Sequence, residues 1–149
     1  MIKNEQSSFQ CIHCTIFIPI HSYMGTAHRN HCPFCLWSKH VDDRIPGDRK
    51  SSCFGAMKPI GLTFKHEGID KYGKKRQGEI MIVHHCTLCE KININRIAGD
   101  DDEKIILSLL DTSQIPEKIS ISASQSNIAL LSKKNIKEVT KQLFGSRGL

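Results

Sequence analysis

Cysteine and histidine are the residue types of this 149-residue chain whose number and spacing could carry chemistry. Six of the seven cysteines form three Cys-x-x-Cys pairs, Cys11/Cys14, Cys32/Cys35 and Cys86/Cys89, and Cys53 is the seventh. Two intervening residues form a tight turn that directs both thiolates at one ion, while backbone N–H groups point at the sulfurs. Two such turns complete a tetrahedral four-sulfur site, so the spacing predicts metal binding.

The predicted ligands divide between two ions in one of two ways. In the first, one site has the ligands Cys11, Cys14, Cys32 and Cys35, and the other has Cys53, Cys86, Cys89 and a histidine. In the second, nested arrangement, Cys11, Cys14, Cys86 and Cys89 share one ion, and Cys32, Cys35, His40 and Cys53 share the other. We predict His40 as the eighth ligand, with His84 as the alternative, because the proximity of His84 to Cys86 would strain its reach to the ion. Zinc is the expected metal at both sites, and iron is the alternative.

The same residues argue against an enzyme. A catalytic zinc keeps one coordination position open, whereas seven cysteines and one histidine fill two closed sites. None of the pairs opens a helix of a βαβ unit, as a redox pair does, and the His-x-Glu of zinc deaminases is missing. A His–Asn–His nuclease built on residues 28–31, with His13 or His21, is the remote alternative. We expect instead that Arg29, Asn30 and His31 order the loop around the second cysteine pair, and that His31 donates a hydrogen bond to a thiolate.

Short elements must position these ligands. Alternating apolar residues predict a strand over 14–24 and a hairpin formed by 57–68 and 78–86, with a polar loop over 69–77. The apolar residues of 104–111 have the spacing of a helix, and acidic residues precede them at its expected N-terminal end. Residues 119–127 are interpreted as an edge strand or a linker. A last helix is predicted to begin with a capping box at Asn135 and Glu138, to align Ile136, Val139 and Leu143 on one face and to end at Gly145.

These elements predict a small metal-stabilised, β-rich α+β fold: a zinc-ribbon and knuckle module with two metal sites and short C-terminal helices. Residues 1–8 are expected to be a flexible N-terminus, 9–102 the zinc-binding domain and 103–149 a helical extension. Only 39% of residues are hydrophobic and 6% aromatic, so the apolar core is modest and Phe34 and Trp37 are expected to pack in it. No run approaches the roughly 20 apolar residues of a membrane helix. No apolar segment follows the N-terminus either, and we expect a cytoplasmic, reducing location.

Charge indicates the class of partner. The net charge is +6, and it arises within residues 1–99, which hold 14 Lys and Arg against 8 Asp and Glu. Zinc modules with a basic bias are typical of nucleic-acid binding, so we predict RNA or a ribonucleoprotein surface as the partner. The predicted contacts lie in the polar loop: Lys71, Tyr72, Lys74, Lys75 and Arg76. The alternatives are a solvated loop and a protein-interaction adaptor that docks a partner through the face Ile136, Val139 and Leu143.

The segment Arg29-Asn30-His31-Cys32-Pro33 resembles the signature for which the RNHCP-domain family is named. The sequences GTAHRNHCPFCLWSKHVD, PGDR, CFGAMKPIGL, VHHCTLCE and NRIAGDD resemble further blocks of the family in the same order. The resemblance covers about residues 9–102 and implies a small zinc-binding domain, with no biochemical activity attached. The chain departs from the family at Thr15 and Glu90, where glycine is expected after the second cysteine of a pair.

Overall fold

A computed structural model describes residues 8–19, 31–41, 51–65, 71–73, 78–99 and 101–144. Strands β1 (Ser8–Gln10) and β2 (Phe17–Pro19) form an antiparallel hairpin of their own. A second antiparallel sheet has the order β3-β4-β5-β6, with β3 at Ser38–Lys39, β4 at Ala56–Phe64, β5 at Ile80–Cys86 and β6 at Ile92–Arg96. The predicted β-rich α+β fold and the predicted hairpin of β4 and β5 are confirmed.

The β4–β5 hairpin is the centre of the larger sheet. Its pairing runs from Met57 opposite Cys86 to Phe64 opposite Ile80, with an irregularity between Pro59 and Gly61. Pro59 has no N–H to donate, and a proline within a sheet is tolerated at such irregularities. In β5 every residue except His85 is buried, which explains its nearly continuous run of isoleucine, methionine and valine. This hairpin carries Cys86 to the end of the sheet at which the ligands gather.

Three α-helices follow the sheet: α1 at Glu103–Ser108, α2 at Glu117–Gln125 and α3 at Ile136–Phe144. The helix predicted within 104–111 is confirmed as α1, and Asp102 caps it by accepting hydrogen bonds from the backbone N–H groups of Lys104 and Ile105. The edge strand or linker predicted over 119–127 is wrong, because this segment forms most of α2. Its burial follows a helical period, since Ala123 is buried and Ile119, four residues earlier, is partly buried, whereas Ile121 is half exposed.

The last helix is confirmed, but its predicted cap is wrong. The capping box uses Ser132 and Asn135, whose side chains bond each other's backbone around a 3₁₀ turn at Lys133–Asn135. Serine ranks with asparagine as an N-cap, and Ser132 takes that position because the 3₁₀ turn precedes α3 directly. Gly145, the predicted end of the helix, lies outside the described residues.

The helices and the sheet share one hydrophobic core. Its buried members come from both parts of the chain: Leu36, Leu62, Ile80, Ile82, Ile106, Leu110, Leu131 and Val139. Val139 is fully buried and Leu143 packs against this core, so most of the face predicted for a protein partner packs inside the protein instead. A smaller cluster surrounds the first two cysteine pairs and includes Ile18 and Trp37. Within the described ranges, no helix has the length and apolar character needed to cross a membrane.

Candidate metal centres

The three Cys-x-x-Cys pairs occupy backbone turns of the same kind. In each turn the N–H of the first cysteine donates to the carbonyl five residues later, at 2.8–2.9 Å: Cys11 to Ile16, Cys32 to Trp37 and Cys86 to Lys91. Each turn also has a bond from the residue after the second cysteine back to the carbonyl of the first, at 2.8–3.0 Å. The first turn joins β1 to β2, the second precedes β3 and the third joins β5 to β6. Each cysteine pair is therefore held at the tip of an antiparallel turn.

The residue that follows each pair adopts a left-handed backbone conformation. Its φ angle is 66° at Thr15, 64° at Leu36 and 66° at Glu90. Glycine takes this conformation without a steric penalty, whereas other residues pay roughly 1–2 kcal/mol. The departures from the family at Thr15 and Glu90 therefore leave the turn geometry unchanged.

Cys11, Cys14, Cys32 and Cys35 converge between the first two turns. The Sγ atoms of Cys11 and Cys35 are 3.6 Å apart, and those of Cys14 and Cys32 are also 3.6 Å apart. A tetrahedral zinc with bonds of about 2.3 Å separates its sulfurs by about 3.8 Å, whereas a disulfide would bring them to about 2.05 Å. Backbone N–H groups of His13 and Cys14 point at Cys11 Sγ, each at 3.4 Å. We call this cluster site one.

A second cluster forms where the third turn meets the β3–β4 connection. Cys53 Sγ lies 3.6 Å from Cys86 Sγ, and His40 Nδ1 lies 3.3 Å from Cys89 Sγ. His40 is held in place because its N–H donates to the Gly55 carbonyl at 2.8 Å and its carbonyl accepts from the N–H of Phe54 at 3.0 Å. The N–H of Thr87 in turn donates to the Ala56 carbonyl at 2.8 Å, which fixes the third turn against β4. We call this cluster site two.

The structure groups the ligand atoms as the first of the two predicted partitions does. Within each set of four, the ligand atoms lie within 4.8 Å of one another, so the two clusters could hold two metal ions. The nested arrangement is not formed, because Cys86 and Cys89 face Cys53 and His40 rather than Cys11 and Cys14. All eight residues predicted as ligands belong to one of these clusters.

His84, the alternative eighth ligand, has a different place. Its Nε2–H donates to the Leu36 carbonyl at 2.6 Å, and its Nδ1 accepts from Asn95 Nδ2 at 2.9 Å. Burial, followed by the nearby His31, lowers the pKa of His84 to about 3, so the ring is neutral at pH 7. His84 thereby joins the turn that carries Cys32 and Cys35 to the sheet that carries Cys86.

Two thiols of site one, those of Cys32 and Cys35, are harder to deprotonate than a free cysteine. Burial raises the pKa of Cys32 to about 11, although the N–H groups of Phe34 and Cys35 oppose this rise. Burial also raises the pKa of Cys35, and the neighbouring Cys11 and Cys32 add to the effect. Four thiolates at such distances repel one another, and a divalent cation is what stabilises them together. The donor set and its spacing therefore fit a bound metal.

The sequence did not reveal Asp101, which is the partner of His31. His31 Nε2 lies 2.7 Å from Asp101 Oδ2, and both side chains are buried. The same carboxylate oxygen accepts from the N–H of Ala98 at 2.8 Å, and the N–H of Asp102 donates to the Pro33 carbonyl at 2.8 Å. This Nε2 contact joins the motif to the start of α1, and the predicted hydrogen bond from His31 to a thiolate stays a prediction. His21, His28, Arg29 and Asn30 lie outside the described residues.

The aromatic residues beside the clusters divide into packed and exposed ones. Trp37 is partly buried, as expected, and stacks on His13 with ring centroids 4.2 Å apart and planes within 3°. Phe34 was expected in the core, but it is 58% exposed because the turn points it outward. In the predicted nucleic-acid loop, Tyr72 is 76% exposed and Lys71 Nζ lies 5.3 Å from its ring centroid. Lys74, Lys75 and Arg76 lie outside the described residues.

Comparison with known proteins adds one finding. The family model of the RNHCP domain matches residues 6–107, a span that includes both metal clusters and Asp101. No curated protein and no solved structure matches the chain.

Proposed function

The chain belongs to the RNHCP domain family, and we propose that it is a non-catalytic two-zinc module that binds RNA, either free or on a ribonucleoprotein surface. The observation that carries this proposal is the pair of complete four-ligand sets, one Cys₄ and one Cys₃His. Closed sets of this kind hold structural zinc and leave no coordination position for an activated water. The ions then build the surface instead of acting on a substrate.

Zinc is favoured over iron by the composition of the second set. A Cys₄ set also suits iron, but a set of three cysteines and one histidine is an ordinary structural zinc set. The cysteine-rich sites further suit a reducing compartment such as the cytoplasm, in which thiols persist. Metal analysis of protein purified without added metal would test this assignment, with two zinc ions per chain expected and iron contradicting it.

RNA is favoured as the partner by charge and by exposed aromatic rings. Two zinc ions bound by seven thiolates would reduce the formal charge from +6 to about +3, so the chain stays basic. Single-stranded RNA is recognised by aromatic stacking together with cations that contact its phosphates. Lys71 and Tyr72 provide such a pair in the loop predicted for this contact.

The test is binding of the zinc-loaded chain to RNA across a salt titration. We expect binding that weakens steeply between about 50 and 200 mM salt, because phosphate contacts release counterions. Reversing the charge of Lys71, Lys74, Lys75 and Arg76 should weaken binding and reduce the salt dependence. The matched control reverses four basic residues of the C-terminal part, Lys133, Lys134, Lys137 and Lys141, and should leave binding unchanged.

Two results would contradict the proposal in different ways. Absence of binding at about 50 mM salt would remove RNA, since phosphate contacts are strongest there. Magnesium-dependent cleavage of the RNA, lost in His31→Ala with both zinc ions retained, would identify a nuclease instead. A protein partner bound with little salt dependence would favour the adaptor function, although Val139 and Leu143 are committed to the core.

A further inference from the structure

Two exposed apolar side chains lie next to site two. Phe54, which follows Cys53, is 53% exposed, and Leu88, at the tip of the third turn, is 69% exposed. Gly55 brings the two segments together, because a Cβ added at this glycine would lie only 2.7 Å from Leu88 Cβ. Phe54 and Leu88 therefore lie on either side of the contact between Gly55 and the third turn. The neighbouring ligands Cys53 and Cys86 set the positions of both side chains.

Phe54 is an unusual residue for its position. Its φ angle is 57°, a left-handed conformation in which bulky residues are rare and glycine or asparagine costs less. Burial does not compensate for this cost, because half of the side chain faces solvent. A strained and exposed aromatic ring suggests a role in contact with another molecule.

A cation accompanies this ring. Lys39 Nζ lies 5.4 Å from the centroid of the Phe54 ring, and Lys39 is exposed on β3. The pair is fixed by its neighbours in sequence, since Lys39 precedes the ligand His40 and Phe54 follows the ligand Cys53. Two backbone hydrogen bonds join His40 to Phe54 and Gly55, and they hold these two segments of the chain side by side. Metal binding at site two would therefore set the distance between the ammonium group and the ring.

We propose that Lys39, Phe54 and Leu88, here called the site-two platform, bind single-stranded RNA, which deepens the proposed function and rests on it. The Phe54 ring stacks on a base, Leu88 extends the apolar contact, and the Lys39 ammonium contacts an adjacent phosphate. Base stacking on an aromatic ring and a lysine beside the backbone are the two components of single-strand binding.

Charge distinguishes site two from site one as a place for phosphate. A zinc ion with four thiolates carries a net −2, whereas one with three thiolates and a neutral histidine carries −1. A phosphate near site two therefore meets less repulsion, and Lys39 offsets the remaining charge.

The same combination of ring and cation recurs at the far end of the β4–β5 hairpin. Lys71 Nζ lies 5.3 Å from the Tyr72 ring centroid in the loop that connects these strands. β4 alone spans roughly 27 Å, and the two pairs lie at its opposite ends. An extended RNA strand is long enough to reach from one end of the hairpin to the other, which favours RNA over a protein partner for the platform.

The experiment measures binding of the zinc-loaded chain to a fluorescent single-stranded oligouridine by anisotropy across a salt titration. Phe54→Asn removes the ring and suits the left-handed backbone, so the turn is retained. We expect it to weaken binding by about fivefold or more with an unchanged salt slope, since one stacked base is lost. Lys39→Gln should reduce the salt slope by about 0.7, which corresponds to one phosphate contact on a single strand. Phe54→Trp should retain binding.

Two control variants have the same types of substitution at residues outside the platform. Phe17→Asn removes an exposed ring on β2, and Lys137→Gln removes an exposed charge on α3. Both should bind like the unmodified chain, and every variant should retain two zinc ions. If the unmodified chain binds oligouridine but Phe54→Asn and Lys39→Gln bind equally well, the platform is refuted and the proposed function stands. If the unmodified chain does not bind RNA at about 50 mM salt, both are refuted.

Discussion

Gly55→Ala should weaken metal binding at site two and leave site one intact. Gly55 is buried, and a Cβ at this position would lie 2.7 Å from Leu88 Cβ, 2.9 Å from Cys86 Sγ and 3.3 Å from Cys53 Sγ. Carbon atoms in contact are normally about 3.5–4.0 Å apart, so the alanine methyl group forces its neighbours to move by roughly 0.8 Å. One of these neighbours is the first atom of a side chain on the third turn, and two are metal ligands.

The magnitude follows from how little these atoms can move. Metal–ligand distances tolerate shifts of about 0.2 Å, and an extra methyl group in a tightly packed site costs about 1–3 kcal/mol. If this packing free energy destabilises only the zinc-loaded state, the zinc affinity of site two should fall by roughly 5- to 150-fold. Site one has no ligand near Gly55 and should keep its affinity, so the two ions should become distinguishable.

The assay is competition for zinc by a chromophoric chelator, which resolves a tight and a weakened ion. Gly61→Ala is the matched control, because a Cβ at Gly61 would meet Leu130 Cδ2, the flexible end of a side chain, at 3.1 Å. This control should bind both ions like the unmodified chain. Unchanged affinity for both ions in Gly55→Ala would refute the packing argument, and equal weakening in Gly61→Ala would show that the effect is not specific to site two.

Three further predictions concern stability and protons. Thr15→Gly should raise the free energy of unfolding of the zinc-loaded chain by about 1 kcal/mol in urea denaturation, because glycine relieves the left-handed strain; a loss of stability would contradict this. Asp101→Asn should lower that free energy by about 2 kcal/mol, because the buried contact with His31 loses its negative charge. Two zinc ions should stay bound to this variant. Loss of zinc would instead show that the contact positions the metal ligands. Zinc affinity, measured by equilibrium dialysis, should fall as pH falls, by up to about tenfold per pH unit for each proton that zinc displaces. The reason is that burial raises the pKa of Cys32 to about 11, so zinc must displace the proton of this thiol. A zinc affinity that does not depend on pH would refute this reasoning.

Local chemistry made the candidate ligands predictable from the sequence, whereas their grouping needed the fold. A Cys-x-x-Cys turn is complete within a few residues, so each pair could be recognised by itself. Which pairs share an ion depends on which turns face each other, and two partitions satisfied the spacing equally well. The choice of His40 over His84 likewise rests on distant contacts, such as the bond from His84 to Leu36.

The errors have physical causes of the same kind. Residues 119–127 are small and polar, with serine at every second position up to 126, which is the period of a strand, but burial of Ala123 favours the helix. The partner of His31 lies 70 residues away, and a pairing at that separation leaves no local pattern in a sequence. Phe34 was expected in the core because of its hydrophobicity, yet its position at the tip of a metal-binding turn directs it outward.

The separate β1–β2 hairpin would make two bound ions unequal in their effect on folding. Isolated two-stranded hairpins are at most marginally stable, and the small cluster that supports this one consists largely of the cysteines of site one. Loss of that ion would unfold residues 8–19, while the four-stranded sheet keeps its own hydrophobic core. A cell short of zinc would then contain a partly folded form with an intact sheet, an N-terminal segment open to proteases and thiols open to oxidation. Zinc supply would in this way determine how much of each chain is folded.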